Sequence, residues 1–478
     1  METGAALPIV SDADHANPFL ARGHAPQRTE FDVPDLRIEG AWPAGLAGTF
    51  YRIGPNPQFE PLTPYNPLMG DGMVHAFRVA GGCAAYRNRW VRTGRWSREN
   101  AAGRALFATS GMPSDDNPEA GPRPADGVAN TNLVWHGGRL LALEEGSGPV
   151  EIDPETLETI GPWTFDGALR RNMTAHPKID PVTGAMVFFA NLPRGRLTGE
   201  LALYEADASG RIVSARTVQG PYPALVHDFA ITERFVVLAI FPVTLSLERA
   251  QRGQPVIAFE PDRASEVLVI ARETGEVRRY EGPPCMSWHV LNAFEDAGWI
   301  ALDLCEQAVA MFPTPDGTPP DAARAAQRLV RWGMDLSRPG PVVRRPISDL
   351  VCEYPRIDER RTGLSYRYGF FACSGGPGTG DIFHRGLARF DLAMAQMAVW
   401  PGERGVAAAE PVFAPRSAEA AEGDGWLLTN LYDETKDASC LAVFDAGDVA
   451  AGPVARARLD HRVPVGFHGL WRNLSPSQ

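Results

Sequence analysis

Four of the ten histidines in this 478-residue sequence have local surroundings that set them apart. They are His176, His227, His289 and His468, each flanked by apolar or small residues beside a strand-like run, so we expect their side chains to point inward. Neutral imidazole binds iron, zinc and copper, and four imidazoles leave a divalent ion its full positive charge. An Fe(II) ion held in this way can bind O2, while a tetrahedral zinc site stays open as an alternative.

Three glutamates in apolar contexts are candidates to support these histidines. They are Glu145, Glu353 and Glu410. A metal-binding histidine needs its second ring nitrogen fixed by a carboxylate or a carbonyl group, and a buried carboxylate without a partner is costly. The histidines need a hydrogen-bond acceptor and the buried glutamates need a donor. The sequence therefore predicts a metal site whose histidines are supported by carboxylates.

The spacing of the four histidines indicates the kind of fold that brings them together. Successive separations are 51, 62 and 179 residues, and the last is close to three times the mean of the others. In a β-propeller the inner strands of all blades converge on one axis, so one ligand per blade explains this spacing. His75 in GDGMVHAF is a candidate fifth ligand, although we expect a structural role for it.

The rest of the chain has the pattern of turn residues and short apolar segments that is typical of an all-β protein. Its 48 glycines and 42 prolines separate short apolar segments, and a strand–turn–strand rhythm recurs at intervals of roughly fifty to sixty residues. We predict a seven-bladed β-propeller with a loop and helical cap over one face, with a generic β-rich fold as the alternative. Helices are expected only in Leu245–Gly253 and Asp321–Trp332. Residues 1–29 are predicted to form an N-terminal tail, and residues 30–478 a single catalytic domain.

Bulk properties exclude several classes of function. A formal net charge of −12 without any run of basic residues argues against nucleic acid as a partner. Six widely spaced cysteines without a CxxC pair are typical of reduced thiols, and no apolar run is long enough to span a membrane. We therefore expect a cytoplasmic protein, with peripheral membrane contact and the oligomeric state left open.

At these same residues the sequence resembles the carotenoid cleavage oxygenase family along nearly its whole length. The matching motifs include GTFYRIGPNP (48–57), GDGMVHAF (70–77), EYPRID (353–358), EPVFAPR (410–416) and the four histidine contexts. The resemblance implies a seven-bladed propeller, Fe(II) on its axis and O2-dependent cleavage of an alkene into two carbonyl products. It also implies that the four histidines are the iron ligands and that the three glutamates support them.

The choice of substrate depends on three further positions. Family members that cleave lignostilbenes and isoeugenol-like phenols use a Tyr and a Lys to hold the phenolic oxygen, and Ser110 and Glu144 stand at those positions here. A carboxylate facing the site would repel a phenolate, so we predict a carotenoid or apocarotenoid in an apolar tunnel that Phe59 helps to line. The alternatives are a stilbene- or phenylpropanoid-cleaving dioxygenase, a non-oxidative isomerase or hydrolase, and a propeller that only binds.

Overall fold

The structure is a computed structural model that describes residues 17–110, 112–191, 193, 197–374 and 383–474. Residues 1–16 of the predicted tail lie outside this range. The described part of the tail carries two 3-10 turns, Pro18–Leu20 and Arg22–His24, and contacts the opposite end of the chain through the Val465 N–H, which donates to the Gly23 carbonyl at 2.7 Å.

The described residues are mostly β-strand with few helices, as the sequence predicts. In chain order the strands are β1 (Asp32–Val33), β2 (Arg37–Gly40), β3 (Gly48–Pro55), β4 (Gly72–Ala80), β5 (Cys83–Trp90), β6 (Asn132–His136), β7 (Arg139–Leu143), β8 (Val150–Ile152), β9 (Thr159–Pro162), β10 (Lys178–Ile179), β11 (Met186–Ala190), β12 (Glu200–Ala206), β13 (Ile212–Gln219), β14 (Ala230–Ile231), β15 (Phe235–Ile240), β16 (Val243–Leu245), β17 (Ile257–Phe259), β18 (Ser265–Ala271), β19 (Val277–Gly282), β20 (Met286–Asp296), β21 (Trp299–Gln307), β22 (Arg328–Asp335), β23 (Val343–Ile357), β24 (Tyr368–Cys373), β25 (Gly386–Asp391), β26 (Gln396–Trp400), β27 (Val406–Ala408), β28 (Val412–Pro415), β29 (Gly425–Asp433), β30 (Ala438–Asp445), β31 (Pro453–Arg458) and β32 (Gly469–Asn473).

Strands that follow one another along the chain pair into antiparallel sheets. β6–β9, β10–β13 and β14–β15–β18–β19 each form a four-stranded sheet, and β16 pairs with β17. β20–β26 form a seven-stranded sheet in which β23 pairs with β22 mainly through its first half and with β24 through its second half. Such a succession of small antiparallel sheets is typical of a β-propeller.

The two ends of the chain share their sheets. β32 joins the sheet of β1, β3, β4 and β5, where Tyr51 pairs with Leu470, and β2 joins the sheet of β27–β31, where Ile38 pairs with Ala457. The edge strands that a chain of separate sheets would leave open are therefore paired between the two termini.

Hydrophobic cores lie between neighbouring sheets and not within one central core. One cluster joins Phe50 and Phe77 of the first sheet to Leu441 and Val443 of the last. The sheets are thus covered by neighbouring sheets on both faces. This explains why the sequences of many strands are continuous apolar runs. The six cysteines are free and five of them are buried, as expected for reduced thiols.

One helix was predicted correctly and one was missed. α1 (Gly94–Ala102) was not expected; the Thr93 side chain caps its N-terminus, and Gly103 ends it with a φ of 66°. α2 (Leu247–Gln251) lies inside the predicted segment Leu245–Gly253. No described helix has the length and apolarity needed to cross a membrane.

The predicted helix over Asp321–Trp332 is wrong. Only Ala322–Arg324 forms a 3-10 turn, and the chain enters β22 at Arg328. Trp332 pairs with Leu302 and is fully buried, because the alternating side chains of β22 face a sheet interface. Tertiary pairing has overridden the helix propensity of the alanine-rich stretch.

Candidate metal centre

The Nε2 atoms of the four predicted histidines face one another across a small space inside the protein. Successive Nε2 atoms are 3.0 Å apart from His176 to His227, 3.2 Å from His227 to His289 and 3.1 Å from His289 to His468. One ligand atom from each lies within 4.8 Å of all the others. Among the described residues, no other group of three or more His, Cys, Asp or Glu side chains has this spacing.

Each histidine lies at or just before an edge strand of its sheet. His176 and His227 precede β10 and β14, and His468 directly precedes β32. His289 lies within β20, where the pairing with β21 shifts register on both sides of Val290. A local bulge re-aims side chains, so this irregularity accounts for an imidazole that turns toward the other three.

Three glutamates contact the second ring nitrogen of three of these histidines. The pairs are Glu145 with His227, Glu353 with His289 at 2.6 Å, and Glu410 with His468 at 2.9 Å. The sequence predicted the three glutamates as a set, and the structure assigns each one to a histidine. Within the described residues no carboxylate contacts the ring of His176; its backbone N–H donates to Thr174 Oγ1, and that hydroxyl donates to the His227 carbonyl.

These contacts determine which ring nitrogens are available to a ligand. A carboxylate only accepts hydrogen bonds, so Nδ1 of each paired histidine carries the proton and Nε2 carries a lone pair. At least three lone pairs therefore point at one another across about 3 Å without a donor between them. A metal ion bound at about 2.1 Å places neighbouring nitrogens about 3.0 Å apart at a right angle and about 3.4 Å apart in a tetrahedron. The residues therefore fit a metal ion.

The electrostatics keep His176 and His468 neutral and Glu410 charged, whereas they favour the protonated form of His289. Burial lowers the pKa of His176 well below its usual value and that of His468 to about 4. Burial alone would raise the pKa of Glu410, but Arg356 and His468 together bring it down to about 2. For His289 the burial effect is overcome by Glu353, which raises the pKa.

Other histidines stay outside this centre. His75 is buried, its Nδ1 lies 2.7 Å from the Tyr86 hydroxyl, and it is not part of the four-histidine group, in agreement with the expected structural role. His136 is also buried, and its Nε2 lies 3.1 Å from the Gly184 carbonyl.

A cavity of about 490 Å³ reaches the histidines from one side. Its walls come from the segments that continue from the histidines and from parts of β6 and β23, and they include Lys178, Asp228, Tyr354 and Arg356. Phe59, Ser110 and Glu144 are not among its lining residues. The walls of this cavity combine apolar and charged side chains, whereas the sequence predicted an apolar tunnel.

The three predicted substrate contacts have different surroundings. Phe59 is half-buried, and Ser110 is exposed in a turn where its hydroxyl accepts a hydrogen bond from the Met112 N–H. Glu144 is half-buried beside Ser147 and Val128, and burial raises the pKa of its carboxyl group to about 7. Their contact with a substrate stays a prediction.

Two residues of the centre escaped the sequence reasoning. Asp228 directly follows His227 in LVHDFA, and its carboxylate contacts Lys178 at 2.7 Å. Tyr354 packs its ring against those of His289 and His468, with centroids 5.4 Å away in both cases, and has a φ of 52°. The sequence signal for Asp228 was an acidic residue directly beside a candidate ligand. No local sequence pattern predicts the positive φ of Tyr354.

Comparison with known proteins places this geometry in a family. The family model described as retinal pigment epithelial membrane protein matches residues 24–473. An isoeugenol monooxygenase from Pseudomonas nitroreducens is 35% identical over 472 residues, which cover 95% of this chain and 98% of that protein. The apocarotenoid-15,15'-oxygenase of Synechocystis is 31% identical over 479 residues, which cover 94% of this chain and 95% of that protein.

Among solved structures, the crystal structure of Pseudomonas brassicacearum lignostilbene dioxygenase is similar with a TM-score of 0.90. It is 36% identical in sequence, and the match covers 96% of this chain and 98% of that one. The relatives are named as oxygenases, and the match extends over nearly all of each chain. The protein is therefore an enzyme of the oxygenase type that belongs to the carotenoid cleavage oxygenase family, the family of the retinal pigment epithelial membrane protein.

Proposed function

We propose that this protein is an Fe(II)-dependent dioxygenase that cleaves the side-chain double bond of an aryl-alkene of the stilbene or phenylpropanoid class. The observation that carries the proposal is the set of four converging Nε2 atoms, with three Nδ1 atoms held by glutamates. Iron bound there would supply the activation of O2, whose two oxygen atoms would end in the two carbonyl products.

The relatives support an aryl-alkene over the carotenoid that the sequence reasoning preferred. Isoeugenol monooxygenase and lignostilbene dioxygenase are 35% and 36% identical to this chain, whereas the apocarotenoid oxygenase is 31% identical. The difference is small, so the surroundings of the site must also be compatible with a phenol.

Glu144 is compatible with a phenol because its charge is not fixed. A permanent carboxylate at Glu144 would repel a phenolate, but burial raises the pKa of Glu144 to about 7. Near neutral pH, Glu144 is a neutral acid in a large fraction of the molecules. The neutral acid does not repel a phenolate and can donate a hydrogen bond to it. The residue therefore leaves aryl-alkenes open as substrates.

The protein's own contribution is to hold the ligands and to fix which ring nitrogen carries the proton. Glu145, Glu353 and Glu410 keep the protons of their partners on Nδ1, so the Nε2 lone pairs stay available to the metal. Arg356 contacts Glu410 at 3.3 Å and helps that carboxylate to remain charged inside the protein.

Oxygen consumption with matched substrates tests the proposal. The anaerobically purified, iron-loaded enzyme is given isoeugenol, resveratrol and an apocarotenal in turn, and products formed under ¹⁸O2 are identified by mass spectrometry. We expect turnover of an aryl-alkene with labelled oxygen in both carbonyl products. Turnover of the apocarotenal alone would contradict the aryl-alkene assignment, and product formation without O2 would contradict the oxidative reaction.

A carotenoid or apocarotenoid substrate is the second candidate. It is favoured by the replacement, at Glu144 and Ser110, of the Lys and Tyr that phenol-cleaving members use. The same experiment separates the two classes. A non-oxidative isomerase or hydrolase would act without O2, and a propeller that only binds would show no turnover at all.

We also infer that the fold is a closed propeller of seven blades. If the β16–β17 pair is left out and the two halves around β23 are counted separately, seven sheets follow one another, and a buried cluster joins each sheet to the next. The cluster of Phe50, Phe77, Leu441 and Val443 joins the last sheet to the first. Such a ring directs one edge strand of each blade toward a common axis, where residues distant in sequence can meet.

A further inference from the structure

Asp228 makes three short contacts inside the protein. Its Oδ1 accepts a hydrogen bond from the Phe229 N–H at 2.7 Å and lies 2.7 Å from Nζ of Lys178, and its Oδ2 accepts from the Val290 N–H at 2.9 Å. The side chain is only 3% exposed. A carboxylate this deeply buried is stable only when it is paired and hydrogen-bonded, and Asp228 meets both conditions.

These contacts connect three of the four histidine segments. Lys178 follows His176 by two residues, Asp228 follows His227 directly, and Val290 follows His289 directly. Val290 lies where β20 shifts register against β21, so its N–H is turned away from a regular ladder and toward Asp228. One carboxylate therefore connects the Lys178 side chain, two residues after His176, with backbone N–H groups beside His227 and His289.

We propose that Asp228, together with Lys178, is a positioning residue that sets the spacing of these three imidazoles. Its role differs from that of the three glutamates because its contacts go to backbone N–H groups and a lysine, and not to a ring nitrogen. Lys178 supplies the compensating charge, and its ammonium group lies 5.8 Å from the Phe229 ring centre. The proposal rests on the metal site of the proposed function.

A second buried aspartate, Asp180 on the segment of Lys178, offers a matched control. Asp180 accepts hydrogen bonds from the Val182 and Thr183 N–H groups at 2.9 and 3.2 Å and pairs with Arg272 at 2.7 Å. Its contacts have the same number and chemistry as those of Asp228, but none of them reaches a residue next to His227 or His289. Replacing Asp180 therefore removes equivalent interactions without loosening the connection between the histidine segments.

Cobalt binding to the metal-free full-length protein tests the idea without relying on activity. We compare Asp228→Asn, Asp180→Asn, Lys178→Met and Lys178→Arg by Co(II) titration against a competing chelator, by the visible Co(II) spectrum and by Tm without metal. Asp228→Asn should weaken Co(II) binding about tenfold or more and alter the spectrum. Lys178→Met should weaken it less, and Lys178→Arg should restore it. Asp180→Asn should lower Tm but leave the affinity within about twofold.

Three outcomes would overturn the proposal. The first is a Co(II) affinity and spectrum of Asp228→Asn that equal those of the wild type, and the second is an equal loss of affinity in Asp180→Asn. If Asp228→Asn does not fold, Lys178→Met is the deciding variant. The third outcome that would overturn the proposal is a Co(II) affinity and spectrum of Lys178→Met that equal those of the wild type. A wild-type protein that binds no Co(II) would instead refute the proposed function itself, which separates the two failures.

Discussion

Oε2 of Glu353 lies 2.6 Å from Nδ1 of His289, and the same oxygen accepts a hydrogen bond from the N–H of Tyr354. Tyr354 adopts a φ of 52°, which is strained for an aromatic residue, and Pro355 follows it. Strain of this kind persists only where the surrounding structure enforces it. Here it turns the Tyr354 N–H back onto Glu353 and places the tyrosine ring against His289.

Glu353→Gln is expected to weaken metal binding because the amide carries no charge to hold the Nδ1 proton of His289. Loss of such a supporting carboxylate typically lowers metal affinity by about 10- to 100-fold. Metal content after dialysis against a graded chelator series measures the effect. Glu306→Gln serves as a control, since Glu306 is also buried but accepts hydrogen bonds from Trp332 and Arg344. Equal retention of metal by both variants and the wild type would argue against the role given to Glu353.

His227→Ala is expected to abolish both stoichiometric metal binding and alkene cleavage, because it removes one of four ligands and leaves Glu145 without its partner. Metal analysis and O2 uptake measure the two losses. His136→Ala is the matched control. His136 is also buried, but in the described part of the chain its ring hydrogen-bonds only with the Gly184 carbonyl. Full metal content and activity in His227→Ala would refute the assignment of this centre.

Glu144→Gln is expected to change how stability depends on pH. Burial raises the folded-state pKa of Glu144 from 4.5 to about 7. The folded state then binds the proton more tightly, so this contribution is fully present below about pH 4.5 and is lost as the pH rises through 7. The loss should be on the order of 3 kcal/mol in the wild type and absent in Glu144→Gln.

Unfolding by urea at pH 5 and pH 8 measures this difference for the two proteins. The wild type should lose more unfolding free energy than Glu144→Gln between the two pH values. Glu158→Gln, at an exposed position, controls for the general removal of a carboxylate. Identical pH dependence in Glu144→Gln and the wild type would show that the carboxyl group ionises normally, and the argument that admits phenolic substrates would then lose its basis.

Truncation of the chain after His468 is expected to destabilise the whole fold, because it removes β32 and leaves β3 as an open edge. A fall in Tm of about 10 °C or more is expected, with loss of metal binding as His468 loses the anchor between Gly469 N–H and Glu410. A chain that ends at Leu474 keeps β32 whole and should unfold like the full-length protein. Equal Tm values for the two truncations would contradict closure through β32.

The four histidines and three glutamates were accessible from the sequence because each lies in a distinctive local context of apolar neighbours. Their pairing was not. Glu145 contacts His227 and not His176, although it is nearer to His176 in the sequence. Which carboxylate meets which ring depends on the order of the sheets around the centre, and no local pattern encodes that order.

The same distinction explains the wrong helix and the missed aspartate. Alanine-rich residues 321–327 suggested a helix, but the pairing of β22 with β21 decided the conformation of the segment that follows. Asp228 was visible beside His227, yet its contact with the Val290 N–H exists only because β20 is irregular at that point.

The sequence by itself determined the residue types of the centre, the β-rich character of the chain and its family resemblance, because these depend on local composition and on ordered motifs. Only the tertiary structure decided the 3.0 to 3.2 Å spacing of the Nε2 atoms, the partner of each glutamate and the raised pKa of Glu144. All three arise from contacts between segments far apart in the chain, and the strength of each depends on burial that no single segment produces.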